Sequence, residues 1–199
     1  MPARRIPRKK PTQGRSKETV AVILTAAARV LERDGYARAN VNRIAAEAGV
    51  SVGSLYQYFP TKEAIAAAVG RRLADTMRAV LRDGIADLAL LPLDDAIGAV
   101  SLQTVRAFRV SPRLREVLVD ELPENVLDSA DFDTGLAEMI KAFLEFHRDA
   151  IRACDLDLVI PVLMAAVEAA AKKTALRDDG DQVVAAELTR LVTGYLRRP

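Results

Sequence analysis

A chain of 199 residues, half of them hydrophobic, can bury a core in one or two domains. Aromatics make up only 5% and Trp is absent, so the apolar content is mostly Ala, Leu and Val, a helix-forming mixture that predicts an all-α protein. The net charge of +2 conceals an asymmetry: residues 1–72 sum to +9 and the remainder to −7, which suits either a first part that meets a polyanion or a solubilising tail on an ordinary domain.

Residues 1–16 form a basic arm with three prolines and no periodicity, expected to be disordered when free. No apolar run follows its positive charge, so a secretory signal is not expected. From Lys17 the apolar positions Val20, Ile23, Leu24, Ala27, Val30 and Leu31 predict a helix to Asp34, capped by Ser16 and stopped by a left-handed Gly35. Asn40 caps a second helix, where Val41, Ile44, Ala45 and Ala48 fall at i, i+3, i+4 and i+7, and Gly49 ends it. Ser51 caps a third, with Val52, Leu55, Tyr56 and Phe59 facing inward, and Pro60 stops it. Thr61 caps a longer helix running through Ile65, Val69 and Leu73 to about Asp83. Five more helices are predicted, at Asp94–Val110, Pro112–Leu122, Phe132–Ala153, Leu158–Arg177 and Gln182–Arg197. This divides the chain into an arm (1–16), a three-helix N-terminal domain (17–63) and a longer helical domain (64–199).

The second and third helices carry the functional signal. A helix-turn-helix needs two helices crossing steeply around a tight turn. Ala45 and Ala48 permit close crossing, Gly49 accepts positive φ, and Ser51 leaves the next helix's first amides available to a phosphate. The outward residues of the third helix are then Gly53, Ser54, Gln57 and Tyr58. Gly53 lets the backbone approach a groove, and Ser54 and Gln57 can bond base edges. Tyr58, the rim hydroxyl of Tyr56 and the ammonium of Lys62 can reach phosphates. Arg43 serves equally as a backbone contact or as a solvated surface charge.

This stretch resembles the DNA-binding domain of the TetR family of bacterial transcriptional regulators. The likeness spans about Lys17 to Val69, with Gly35-Tyr36 closing the first helix. It continues through Val41, Ile44, Ala45, Ala48, Gly49, Val50, Ser51, Gly53, Leu55, Tyr56, Tyr58, Phe59, Lys62 and Glu63 at the family's spacing. One departure is Ala39-Asn40, where a Thr pair is usual; Asn40 keeps the cap but lacks a hydroxyl for a phosphate. The resemblance implies double-stranded DNA as partner and a homodimer whose third helices enter successive major grooves of a near-palindromic operator, about 34–36 Å apart. It gives Lys17, Asn40, Arg43, Ser51, Gly53, Ser54, Tyr56, Gln57, Tyr58 and Lys62 as the DNA-contacting set, with the basic arm tracking phosphates or entering the minor groove.

The resemblance further implies a ligand-binding core in the longer domain and a dimer bundle made by its last two helices. Leu163, Val167, Ala170 and Thr174 on one helix, with Val184, Leu188, Leu191 and Tyr195 on the other, form stripes suited either to that interface or to intramolecular core. Polar groups on apolar faces mark a candidate pocket for a small apolar or amphipathic effector: Ser101, Thr104, Phe108, Met139, Phe143, His147 and Met164. A hydroxyl bonded to its preceding turn, or a satisfied core histidine, gives the same pattern.

Catalysis is not expected. One His and one Cys provide no zinc ligand set, and no Gly-rich phosphate loop, nucleophile elbow or dinucleotide fingerprint occurs. Glu116, Asp120 and Glu121 read as a solvated acidic helix face. The lone Cys154 excludes an intramolecular disulfide and suits a reducing cytoplasm, and no apolar stretch is long enough for a bilayer. No cofactor is indicated. A ligand-released repressor is the reading that results; the alternative is a DNA-organising protein with no inducer.

Overall fold

The structure is a computed structural model that describes residues 13–85, 91–123, 126 and 136–197, and every regular element among them is helical. Helix α1 spans Gln13–Arg38 and buries Ile23, Ala27, Val30 and Leu31. It starts ahead of Ser16, which is therefore inside the helix and not its cap; nothing between Pro11 and Lys17 forbids helical backbone. Most of the basic arm lies outside the described residues.

Gly35 breaks α1, but not as a simple left-handed stop. Its φ of 75° is positive as expected, whereas its ψ of 167° is extended, a combination open almost only to glycine. One further turn follows, closed by the Ala39 N–H donating to the Gly35 carbonyl at 3.2 Å.

The next two helices are set by their caps. Helix α2 (Val41–Ala48) begins where Asn40 accepts the Arg43 N–H at 2.9 Å. It ends at Gly49, which is left-handed at φ 66°, ψ 28°. Helix α3 (Val52–Tyr56) begins where Ser51 accepts the Ser54 N–H at 3.0 Å. Helix α4 (Lys62–Ile85) follows Thr61, whose hydroxyl accepts the Ala64 N–H at 3.1 Å.

Helices α5 (Leu93–Phe108), α6 (Pro112–Asp120), α7 (Leu136–Phe146), α8 (Leu156–Thr174) and α9 (Asp181–Leu196) complete the order. Helix α7 stops short of the expected Ala153. The chain tightens after His147 into a 3-10 turn, Arg148–Ala150, and the Arg148 guanidinium donates to the Cys154 carbonyl at 2.7 Å across the resulting loop. The expected start at Phe132 lies outside the described residues. Asp155 caps α8 by accepting the Asp157 N–H, which starts that helix two residues earlier than expected.

Two compact units result. The first comprises the described residues up to Val69 together with Val117–Val126; the second holds Gly70–Glu116 and those after Leu127. In the first, α1 packs on α2 and α2 on α3. In the second, α5 lies along α9, and α8 contacts α5, α7 and α9. Its core is one cluster around Ile97, Leu144, Ile151 and Ile160 and another around Val105, Val184 and Leu188.

Candidate nucleic-acid interface

Leu55 is fully buried and Phe59 nearly so, and these two pin α3 against the rest of its unit. With them inside, Ser51, Gly53, Tyr56 and Gln57 are exposed, and Ser54 is half-buried with its hydroxyl 2.8 Å from that of Ser51. A Cβ on Gly53 would meet nothing nearer than the Ser51 hydroxyl at 4.0 Å, so the backbone there is open to close approach. No charged residue occurs from Gly49 to Thr61. An uncharged face of hydroxyls, an amide and a phenol can bond base edges without an acid repelling the phosphates.

The aromatics divide differently from the sequence reading. Tyr56, expected on the inward face, is half exposed at 51%, while Tyr58, expected outward, is the more buried of the pair. With Leu55 and Phe59 inward, positions 56 and 58 fall on the two flanks of that face, and the turn after Tyr56 is closed by the Tyr58 and Phe59 N–H groups donating to the Leu55 carbonyl.

Lys62 is also engaged elsewhere than expected. Its ammonium donates to the Tyr36 carbonyl at 3.1 Å and lies 3.8 Å over the Tyr36 ring, so it serves the joint between α1 and α4 instead of standing free for a phosphate. Tyr36 itself is buried, and its hydroxyl donates to Glu63 at 2.8 Å. Burial, reinforced by that bond to Glu63, pushes its phenol up to about 12. Glu63 is held below the usual carboxylate range by its own backbone N–H and by the Tyr36 hydroxyl. The Tyr36 N–H donates to Glu121 at 2.8 Å, a residue 85 positions away that the sequence offered only as part of a solvated acidic face. No local pattern could have announced that partner.

Arg43 is exposed and pairs with Asp34 at 3.1 Å, and Arg33 bridges Asp34 and Glu47. The bond from Arg33 holds Asp34 below its ordinary range. Pairs this exposed add little stability, and Arg43 keeps the reach to exchange Asp34 for a phosphate. Lys17 and Asn40 are exposed, with the Asn40 side chain committed to its cap.

Residues 23–69 match the family model described as bacterial regulatory proteins of the tetR family, and residues 92–196 match the one described as the tetracyclin repressor-like C-terminal domain. The chain belongs to the TetR family. It is 33% identical over 123 residues to uncharacterized HTH-type transcriptional regulators of Mycobacterium tuberculosis and Mycobacterium bovis, a match covering 55% of this chain and 63% of theirs. A TetR-family regulator from Mesorhizobium loti superposes with a TM-score of 0.72 at 16% identity, over 90% of this chain and 96% of that one. The fatty acid degradation regulator FadR from Bacillus halodurans gives 0.71 at 15% identity, over 94% and 97%. FadR from Bacillus subtilis, solved in complex with stearoyl-CoA, gives 0.68 at 16% identity, over 87% and 97%. These likenesses make the fold TetR-like. The family is one of bacterial regulatory proteins, and the relatives matched are named HTH-type transcriptional regulators.

In the second unit of this TetR-family chain, the residues expected to line a pocket stand in different surroundings, with Phe143, His147 and Met164 near the larger core cluster. Ser101 is buried on α5, and Thr104 donates to the Val100 carbonyl at 2.9 Å, the preceding-turn bond. Phe108 lies beneath the Arg115 guanidinium, 4.5 Å from its ring centroid. Phe143 and Met164 pack on the larger core cluster, whereas Met139 is 45% exposed and turned away from it. His147 sits against the rings of Phe143 and Phe146 at 4.6 and 5.1 Å, and its Nε2 is buried with no partner among the described residues. A crevice of about 390 Å³ lies among Pro92, Leu93, Asp94, Ala150 and Arg197, and none of the seven expected pocket residues lines it.

The stripes expected to pair with a second copy need correction. Leu163, Val184 and Leu188 are buried in the unit's own core, and Val167 and Ala170 pack against it. Thr174 donates to the Ala170 carbonyl at 2.9 Å. Only Leu191 and Tyr195 of that set are exposed. The faces left open are others: Leu158, Val162 and Leu176 of the α8 region, with Val183 on α9 beside Leu191 and Tyr195. Sequence reasoning missed them because α8 is apolar around most of its circumference, so spacing alone does not say which arc meets the core. Among the described residues there is no cluster of metal-ligating side chains and no helix long and apolar enough to cross a membrane.

Proposed function

We propose that the chain is a cytoplasmic homodimeric repressor. It binds a near-palindromic operator through α3 and is released by a small apolar or amphipathic effector in its second unit. The observation that carries the reading is the uncharged, exposed face of Ser51, Gly53, Tyr56 and Gln57 on a capped, short helix. In support of the dimer, the exposed apolar residues of α8 and α9 are more numerous than a lone surface helix needs, and a closed two-fold pair would cover them. In support of the effector, the second unit carries the repressor-like C-terminal family match, and a TetR-like neighbour holds stearoyl-CoA. Release requires an effector that favours the DNA-incompetent conformation by differential affinity.

Selection of random duplex DNA by the full chain tests this. The expected product is a palindrome with half-sites about one helical turn apart. Tyr56→Ala with Gln57→Ala should weaken binding to it about tenfold or more without changing thermal stability. Stearoyl-CoA is the first effector to add. A pool that shows no enrichment after repeated rounds would remove the repressor reading.

A further inference from the structure

Glu121 does something that the recognition surface does not require. It lies one residue beyond α6, and its N–H donates to the Val117 carbonyl at 3.1 Å, so it continues that helix's last turn. It belongs to Val117–Val126, the stretch that groups with the helix-turn-helix, although α6 begins at Pro112 among residues of the other unit. Its carboxylate accepts the Tyr36 N–H at 2.8 Å.

The receiving site is fitted to that carboxylate. A Cβ on Gly35 would come within 2.8 Å of the same carboxylate oxygen, so a larger residue there would push the carboxylate from its seat. Only glycine readily takes φ 75°, ψ 167°, the backbone that turns the next amide off the helix path. The remaining polar groups of Tyr36 are taken by Lys62 and Glu63 at the start of α4. The elbow between α1 and α2 is thus where three distant stretches of chain meet. From it the backbone runs through buried Ala39 directly into the Asn40 cap of α2, and α2 leads through the Gly49 turn to α3.

We propose that Glu121 is a positioning residue for DNA binding. Its charge-assisted bond fixes the Gly35–Tyr36 elbow, hence the posture of α2 and α3. Withdrawing the carboxylate strips the Tyr36 N–H of its acceptor and broadens the ensemble of elbow conformations. Only a fraction of the molecules would then present α3 correctly, and apparent DNA affinity falls by that fraction. The role rests on the reading of α2 and α3 as the DNA-binding elements.

The test uses the full chain and a duplex that the wild-type protein has selected from a random pool. Glu121→Ala should bind it about fivefold more weakly, a modest loss because the side chain is largely exposed. Its thermal midpoint should stay near that of the wild type, and the Tyr36 amide should exchange hydrogen faster. Glu121→Gln, whose side-chain oxygen can still accept the Tyr36 N–H, should restore most of the affinity and of the protection. A purely structural role would instead move the midpoint and leave affinity unchanged. Unaltered affinity in Glu121→Ala, unaltered protection at Tyr36, or a Gln variant as weak as the Ala variant would each overturn the proposal while leaving DNA binding intact. A wild-type chain that selects no duplex would overturn the DNA-binding reading itself, and the positioning role with it.

Discussion

Around Tyr36 in the first unit, a backbone N–H, a carbonyl, a phenol and a ring face each have a named charged partner. Along α8 in the second unit, by contrast, alanines and branched aliphatics run round most of the helix, and several of the largest lie in solvent. The difference concerns how much each sequence position is asked to specify. Directional bonds and special backbone angles admit few residues: Gly at 35 and 49, and a short polar side chain such as Asn at 40 or Ser at 51. Apolar packing admits any hydrophobe of suitable volume. The first unit is therefore defined residue by residue, and the second by pattern.

The sharpest way to test that contrast is to remove a side chain from the place where the shortest helix of the first unit depends on packing. Leu55 is fully buried and is the only buried residue of the five that form α3. Leu55→Ala should cost about 2–5 kcal/mol, read as a lower midpoint in urea, because a helix this short has little else to hold it. A loss below about 1 kcal/mol would mean that caps and turns, not this anchor, carry α3.

The second unit should respond to added charge on its exposed apolar arcs, not to removed volume there. Val162→Glu with Leu191→Glu places carboxylates at positions that are 47% and 46% exposed in the single chain. Folding should be nearly unaffected, whereas self-association should weaken about 100-fold or more, since a dimer would bury those charges unpaired. Sedimentation equilibrium measures it. Unchanged association would move the interface elsewhere and leave these arcs unexplained.

Legibility followed the same division. The helix-turn-helix could be read closely because its caps and glycines are local: Asn40, Gly49, Ser51 and Thr61 each act within four residues of their own position. What escaped were effects of distance and of register. Glu121 meets Tyr36 across 85 positions, and Lys62 turns back to the same residue across 26. Tyr56 and Tyr58 flank the inward pair Leu55 and Phe59 on either side, and spacing alone does not say which flank is the more covered. On α8 the all-α pattern was plain while the inward arc was not; Leu163 and Val162 are neighbours in sequence, and one is core while the other is surface.

The smallest expected effect probes the Tyr36 joint by its proton. The folded chain holds the phenol at about 12, while an unfolded tyrosine titrates near 10. Between those values the folded state keeps a proton that the unfolded state has released, so stability is intact below about pH 10 and falls as pH rises toward 12. Burial is the main cause, and the bond to Glu63 adds to it, because an ionised phenolate would face that carboxylate. Tyr36→Phe keeps the ring and the seat for the Lys62 ammonium but has no proton to lose. It should be slightly less stable at neutral pH, having given up one hydrogen bond, and should show a shallower decline above pH 10. Every other side chain is common to the two proteins, so the informative quantity is the difference between their urea-midpoint profiles. Parallel profiles would mean that Tyr36 ionises as freely in the fold as out of it, and the first unit's claim to residue-by-residue definition would lose its central example.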